Sequence, residues 1–380
     1  MMKIDLSGQW QVKLDVEKQE TMPQAYPETM TLPGTTSAAE LGMPNSAKET
    51  GCLTDAYRFE GAAWFMRTFT AGDWTGEQTM LTLERTRKTT VYLDGRPIGH
   101  QESLCTPHRY FLPPVHAGEH TLVIRVDNTD YPTRGGHLTS PDTQSNWNGI
   151  TGEISLTVAH TLLTDLTVRP DLRCGCLRVH GHIIGAPDGV AGIVLPGQME
   201  HLLPYRRGVL DGECPLKGNE AFWDEAHPEI HTISIDLDGD VYETTFGLRD
   251  VRTLGRRLLI NGRETFLRGK VDNLLYPKTG YTPTDVASWM TILGIAKEYG
   301  INHYRYHTAC PPDAAFTAAD LLGVYMAPEL PFWGTVAEEG EEGYDERERD
   351  FLFQEGFRIL REYGHHPSFL WLSLGNELWG

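Results

Sequence analysis

The hydrophobic pattern of this 380-residue chain changes once, near residue 252. Before that point, short apolar runs alternate with turn residues, as they do in antiparallel β-structure. After it, helical periods alternate with short strands, which is typical of parallel β/α units. The sequence therefore predicts a multidomain protein in which β-sandwich domains precede a β/α domain.

The first 160 residues predict an all-β domain. Residues 63–69 and 120–126 form apolar strands, and residues 89–93 run into Asp94-Gly95, a strong signal for a two-residue hairpin turn. Many short strands at this spacing predict a jelly-roll sandwich over residues 1–160. Residues 161–252 carry further short strands and predict an immunoglobulin-like β-sandwich, although residues 196–219 show no clear period.

Residues 253–380 alternate strands with helices. We expect one helix capped by Thr284 or Asp285, a second opening at Pro311, and a charged third helix over residues 345–363. In the third helix, Phe353, Phe357 and Leu360 are predicted to face inward. Residues 369–374 form an almost continuous apolar run, which predicts a parallel strand buried on both faces.

Four such strands make only part of a (β/α)8 TIM barrel, which needs eight strands and about 250 residues. The interpretation is that residues 253–380 are the first four β/α strands of a TIM barrel that is incomplete in this chain.

Composition narrows the choice of partners. The chain has 52 acidic and 33 basic residues, a formal net charge of −19 that repels nucleic-acid backbones. No apolar run approaches the length of a membrane span, so no membrane partner is expected. The N-terminus has no apolar signal region, which predicts a cytoplasmic protein, or a periplasmic or secreted one if a signal peptide has been removed.

The carboxyl ends of barrel strands carry the function of this architecture. Acids, amides and indoles at such a rim suit a sugar, because carboxylates catalyse proton transfer and indoles stack on sugar rings. The residues predicted at the four strand ends are Asp272, His307, Glu329, Trp333, Asn376, Glu377 and Trp379. From the residues alone, Asn376-Glu377 could equally begin the next helix, where asparagine caps and glutamate favours the dipole.

A metal site is not expected. His303 and His307 lie four apart on a strand, which separates them by about 13 Å. Two zinc–nitrogen bonds span only about 4 Å. No metal and no other cofactor is therefore predicted.

Residues 365–377, which run from a His-His-Pro-Ser start through an apolar strand to Gly375-Asn376-Glu377, resemble the acid/base signature of glycoside hydrolase family 2. That family includes β-galactosidases, β-glucuronidases and β-mannosidases. Residues 8–10, 91–95 and 146–150 resemble its sugar-binding jelly roll. Residues 246–249, followed by Asn261-Gly262, resemble the segment that leads into its barrel.

The resemblance implies a retaining β-glycosidase that acts on chain ends. Glu377 would be the general acid/base, and Asn376 would hydrogen-bond the sugar 2-hydroxyl. The nucleophilic glutamate of the family comes from a later strand and has no counterpart here, so we expect the 380-residue chain alone to be inactive. Carbohydrate is the expected ligand, and homo-oligomer formation stays open. The candidate substrate-binding residues are Asn376, Glu329, His307, Asp272, Trp333 and Trp379.

Two departures from the family leave the sugar open. Val271-Asp272-Asn273 stands where the galactosidases and glucuronidases usually carry Asn-Arg-His, and the segment after Arg305 is one residue longer than theirs. A β-galactosidase-like activity is favoured, with β-glucuronidase as the alternative. A non-catalytic carbohydrate-binding protein, or a scaffold whose open barrel edge recruits another chain, would share the same features.

Overall fold

The computed structural model describes residues 1–47, 49–134, 136–140 and 143–379, so residue 380 of the predicted third domain lies outside the described residues. The described chain is built largely from β-strands, with three α-helices after residue 285. Among the described residues, none of the helices combines the length and the apolar character that crossing a membrane requires.

The first part of the chain forms a sandwich of two antiparallel sheets, here called the first sandwich. One sheet has the order β1-β14-β8-β11 and the other the order β10-β9-β12-β7-β2-β3. Trp10, Phe65 and Ile124 of the larger sheet pack with Leu81 and Leu156 of the smaller one in a single buried cluster. The strands are β1 (Met2–Asp5), β2 (Gly8–Asp15), β3 (Glu28–Leu32), β4 (Gly34–Thr35), β5 (Met43–Pro44), β6 (Tyr57–Arg58), β7 (Ala62–Ala71), β8 (Gln78–Leu83), β9 (Lys88–Leu93), β10 (Arg96–Gln101), β11 (His108–Leu112), β12 (Gly118–Asp127), β13 (Gly149–Ile150) and β14 (Ile154–Ala159).

The predicted hairpin at Asp94-Gly95 is confirmed. Both residues have positive φ, 49° and 78°, and they join β9 to its antiparallel neighbour β10. Positive φ at both central positions matches the right-handed twist of the flanking strands.

A second sandwich follows, with sheets in the orders β15-β16-β19 and β18-β17-β20-β21 around one buried cluster. Two of its strands, β18 and β19, lie in the stretch for which the sequence shows no period. Leu202 faces solvent in β18 while Leu203 and Tyr205 are buried, so the inward alternation is masked by an outward leucine. The strands are β15 (Leu162–Asp171), β16 (Cys176–Ile184), β17 (Gly189–Val194), β18 (His201–Tyr205), β19 (Val209–Pro215), β20 (His231–Leu237) and β21 (Asp240–Phe246).

The last part begins with a small antiparallel sheet, β22-β23-β24, whose Asn261-Gly262 turn again has positive φ at both residues. Parallel pairing then replaces antiparallel pairing: β25, β26 and β27 lie side by side in chain order, with helices in the connections. The elements are β22 (Val251–Leu254), β23 (Arg257–Ile260), β24 (Arg263–Glu264), β25 (Gly269–Asp272), α1 (Val286–Glu298), β26 (His303–Tyr306), α2 (Asp313–Leu322), β27 (Tyr325–Ala327), β28 (Trp333–Thr335), α3 (Glu346–Tyr363) and β29 (Asn376–Trp379).

The helix boundaries follow local chemistry. The Asp285 and Asp345 side chains accept hydrogen bonds from the N–H groups of Ser288 and Glu348, which caps α1 and α3. Gly323 adopts the left-handed conformation at the end of α2, where a side chain would be disfavoured.

The prediction for the faces of α3 is wrong. Its buried residues are Phe351, Glu355, Gly356, Ile359 and Tyr363. Phe353 and Phe357 are instead 64% and 59% exposed, and with Leu360 they line an open apolar groove of about 380 Å³. The helix carries two apolar faces, and the first sandwich determines which one is buried.

The buried face of α3 is fixed by Glu355. Its Oε1 accepts hydrogen bonds from the N–H groups of Leu104 and Cys105, at 2.9 and 2.8 Å, and from Ser103 Oγ at 3.0 Å. Arg109 and Glu362 add a bidentate ion pair between β11 and the same helix. These contacts hold the first sandwich against α3.

The strand predicted over residues 369–374 is not formed as a regular strand, and these residues are not buried on both faces. Isolated parallel bridges join Met326 to Phe369 and Glu329 to Ser373. Phe369 is buried, whereas Trp371 and Leu374 are exposed. The regular strand in this region is β29, which starts at Asn376 and pairs in parallel with β28.

Candidate active site

Glu377 lies on β29 with a strained backbone. Its φ is +46°, a conformation that costs a non-glycine residue about 1–3 kcal/mol and that clusters at functional sites. Two residues earlier, a Cβ on Gly375 would lie 2.5 Å from the carbonyl oxygen of Phe332, so only glycine allows this close approach. The backbone of residues 375–377 therefore has both a strained conformation and a close backbone contact.

The Glu377 carboxylate is exposed and bonded to a tryptophan. Trp333 Nε1 donates to Glu377 Oε2 at 2.8 Å. Trp333 itself is 37% exposed, at the start of the neighbouring strand β28. An exposed carboxylate that is oriented by one indole N–H is available to exchange a proton with a bound molecule.

Asn376, by contrast, is buried and points toward Arg305. Arg305 Nη2 donates to Asn376 Oδ1 at 2.9 Å, and Arg305 Nε donates to Glu329 Oε1 at 2.5 Å. The arginine therefore links the ends of three adjacent strand segments.

Glu329, a candidate substrate-binding residue, is buried in the structure. Its side chain is 0% exposed, whereas that of its partner Arg305 is 41% exposed. Glu329 Oε2 has no hydrogen-bond partner in the part of the chain that the structure describes. Burial raises the pKa of Glu329, while Arg305 and His307 oppose that rise.

Asp272 and His307 lie together at the ends of β25 and β26. The His307 N–H donates to the Asp272 carbonyl at 2.9 Å, and His307 Nδ1 lies 3.2 Å from Asn273 Nδ2. The Asp272 carboxylate accepts from Lys270 Nζ and from the Leu274 N–H, each at 2.8 Å. His303 faces elsewhere, with its Nδ1 3.1 Å from the Tyr325 carbonyl oxygen.

Trp379, the remaining candidate, is 54% exposed at the end of β29. Its carbonyl accepts a hydrogen bond from the Val336 N–H at 2.7 Å.

Sequence reasoning missed His137. This residue lies in the long connection between β12 and β13, and it reaches the site from the first sandwich. Its ring centroid is 4.6 Å from that of His307 and 5.8 Å from that of Trp333, with an interplanar angle of 19° to the indole. Burial, with a smaller contribution from His307, lowers the pKa of His137 to about 4, so its ring is neutral at pH 7. The length of the connection was the available signal, because long loops in compact domains are usually functional.

The site residues form two groups of contacts. In the first, the His307 backbone N–H donates to the Asp272 carbonyl, and ring contacts run from His307 through His137 to Trp333, which bonds Glu377. In the second, Arg305 donates to both Glu329 and Asn376. Carboxylates, an amide and aromatic rings therefore lie close together in this part of the structure.

Comparison with solved structures shows which fold this is. The chain matches the family 2 β-galacturonidase of Eisenbergiella tayi bound to galacturonate with a TM-score of 0.79 and 19% identity, over 99% of this chain and 66% of that one. The chain has the fold of glycoside hydrolase family 2. A β-glucuronidase of Faecalibacterium prausnitzii gives a TM-score of 0.77 and 18% identity, over 99% of this chain and 67% of that one.

Among curated proteins, a β-galactosidase of Arthrobacter sp. (strain B7) is 24% identical over 159 residues, which are 41% of this chain and 16% of that enzyme. No family model matches the chain. The resemblance of the sequence to family 2 is confirmed, and these relatives are glycoside hydrolases. The chain spans about two thirds of the length of the solved structures that it matches.

Proposed function

We propose that this chain carries the acid/base part of the active site of a retaining exo-β-glycosidase. The observation that carries the proposal is the Glu377 carboxylate, which is exposed at a strand end, oriented by Trp333 at 2.8 Å and preceded by the buried amide of Asn376.

The reaction would proceed in two steps. In the first, Glu377 donates its proton to the glycosidic oxygen while a second carboxylate attacks the anomeric carbon, so that the alcohol leaves and a glycosyl-enzyme forms. In the second, Glu377 takes a proton from water, which attacks the anomeric carbon and releases the sugar and the nucleophile. Retaining enzymes hold the two carboxyl groups about 5–5.5 Å apart. We propose that the second carboxylate comes from polypeptide outside these 380 residues.

The neighbouring residues would bind the sugar. Because Arg305 occupies Asn376 Oδ1, the amide nitrogen of Asn376 is the end that would donate to the sugar 2-hydroxyl. His307, Asp272, Trp333 and Trp379 would line the sugar pocket. Glu329 would act through Arg305 and would not contact the sugar itself.

We propose this function together with an arrangement of three domains. Residues 1–160 would be the jelly-roll domain, residues 161–252 the immunoglobulin-like domain, and residues 253–380 the first four strands of a TIM barrel. The parallel order β25-β26-β27 and the parallel bridges to residues 369 and 373 support this arrangement. Further β/α units of a barrel would then cover the groove beside Phe353 and Phe357.

Two kinds of sugar are candidates. The Arthrobacter match favours a β-galactoside, whereas the two structural neighbours are a β-galacturonidase and a β-glucuronidase, which favours a β-linked uronic acid.

The test is a panel of 4-nitrophenyl β-glycosides that includes galactoside, glucuronide, galacturonide and mannoside. Each is assayed with the complete gene product, with its E377Q variant and with the 380-residue chain. Hydrolysis of one glycoside by the complete product, reduced in E377Q, supports the proposal. Glycan binding that maps to residues 1–160 and survives E377Q, without hydrolysis of any glycoside, would favour a non-catalytic carbohydrate-binding protein.

A further inference from the structure

Trp333 lies between two residues that are far apart in the sequence, His137 and Glu377. On one side its Nε1 donates to Glu377 Oε2 at 2.8 Å. On the other side its ring stacks on His137, with centroids 5.8 Å apart and planes 19° apart. His307 is tilted by 55° against the indole, so among the described residues the near-parallel stacking partner of Trp333 is His137.

His137 is itself held firmly. Its backbone N–H donates to Thr308 Oγ1 at 2.8 Å, and its ring packs edge-on against His307. The preceding Gly136 lies so close to Pro331 that an added Cβ would be 2.6 Å from the proline carbonyl carbon.

The same loop is fastened at a second point. Thr133 Oγ1 donates to the Pro331 carbonyl at 2.8 Å, and the Arg134 N–H donates to Glu348 Oε1 at 2.7 Å. Contacts with Thr308, His307 and the backbone of Pro331 therefore hold His137 beside Trp333.

We propose that His137 is a positioning residue that acts through Trp333 to orient the Glu377 carboxylate. This inference rests on the proposed role of Glu377 as the general acid. Trp333 starts a strand of three residues and is partly exposed, so without a stacking partner its ring can leave the plane in which Nε1 reaches Glu377. A general acid must lie within about 2.6–3.2 Å of the atom that it protonates, so a reoriented carboxylate loses efficiency.

The first experiment reads the Trp333 indole N–H by NMR in the 380-residue chain, which contains nine tryptophans. W333F assigns the resonance, and E377A shows where it lies when its acceptor is absent. We expect H137A to move the Trp333 resonance toward its E377A position, and H137F, which keeps a ring for stacking, to leave it near the wild-type position. H180A, on the second sandwich, is the matched control and leaves it unchanged.

If H137A disturbs all nine indole resonances, T308V replaces it as the test. This variant removes the hydroxyl that holds the His137 N–H, and we expect a smaller shift in the same direction. An unmoved Trp333 resonance in H137A or T308V overturns the inference, as does an equal displacement in H137A and H137F.

The second experiment measures kcat/KM of the complete gene product on an alkyl glycoside and on a 2,4-dinitrophenyl glycoside of the same sugar. General acid catalysis contributes about 10²–10⁴-fold, and a poor leaving group depends on it most. We expect H137A to slow the alkyl glycoside roughly 10–100-fold and the dinitrophenyl glycoside less than about 3-fold, with H137F restoring most of the rate. Equal losses on both substrates contradict the inference. An inactive wild-type protein whose Trp333 resonance still responds to H137A overturns the proposed function and leaves the positioning by His137 standing.

Discussion

Arg305 donates a 2.5 Å hydrogen bond to Glu329, whose side chain is fully buried. The pair lies beneath Asn376, which Arg305 also holds. Burial raises the pKa of the Glu329 carboxyl, and the Arg305 guanidinium opposes that rise. The charged form of Glu329 is therefore stabilised by Arg305.

Replacing Glu329 with Gln removes the negative charge and keeps the shape. We expect this variant to lose about 1–3 kcal/mol of unfolding free energy, because Arg305 loses its charged acceptor. In the complete gene product we also expect kcat/KM to fall, since Asn376 would no longer be fixed. Urea unfolding and glycoside hydrolysis check these expectations, with E338Q, at an exposed glutamate between β28 and α3, as the control. Equal stability of E329Q and E338Q would contradict this account of the pair.

Glu355 tests the docking of α3 on the first sandwich. Its Oε1 receives two backbone N–H groups and the Ser103 hydroxyl, and the side chain is completely buried. We expect Glu355→Ala to lower the unfolding free energy by about 3–5 kcal/mol, because buried donors are left without an acceptor. Urea unfolding is the measurement. Glu346→Ala, on the exposed first turn of the same helix, should change stability by less than about 1 kcal/mol.

The two apolar faces of α3 give a matched pair of phenylalanines. Phe351 is buried and Phe353 is exposed, although they are two residues apart. We expect Phe351→Ala to lower the unfolding free energy by about 3–5 kcal/mol, and Phe353→Ala to lower it by less than about 1 kcal/mol. Urea unfolding of the 380-residue chain measures both. The reverse order would mean that α3 is rotated about its axis.

His366 makes the stability depend on pH. Burial acts to lower its pKa, but Asp320 and Asp313, at 2.6 and 3.1 Å, outweigh burial and raise the pKa to about 10. An unfolded histidine titrates near pH 6.5, so the charged His366 stabilises the fold fully below about pH 6.5. That contribution is lost as the pH rises toward about 10.

We therefore expect the unfolding free energy of the wild-type protein to fall by on the order of 2–4 kcal/mol between about pH 6.5 and 10. The His366→Asn variant should lack most of this pH dependence. Urea unfolding across this range is the measurement. The same slope in both proteins would show that other groups cause it.

Much of the fold could be predicted because its signals are local. Asp285, Asp345 and Gly323 mark helix ends through their own side chain or its absence, and Asp94-Gly95 specifies its turn. The orientation of α3 could not be predicted, because both of its faces are apolar. What decides between them is the contact of Glu355 with a loop about 250 residues earlier in the chain.

The candidate site also combines residues with a local sequence signal and residues whose place depends on distant contacts. Glu377 and Asn376 were predicted as site residues from one local motif, Gly375-Asn376-Glu377. His137 is bonded to Thr308, which lies 171 residues later in the chain. The sequence around His137 does not indicate this partner. Glu329 was predicted at the end of the third strand, but its partner Arg305 comes from a different strand, which the local sequence does not reveal.

The role of Glu377 as general acid/base is tested most directly by kcat/KM of E377Q, in the complete gene product, on an alkyl glycoside and a dinitrophenyl glycoside of one sugar. The account predicts a loss of about 10²–10⁴-fold on the alkyl glycoside and a much smaller loss on the dinitrophenyl glycoside, whose leaving group needs no proton. Wild-type rates on both substrates in E377Q would contradict it.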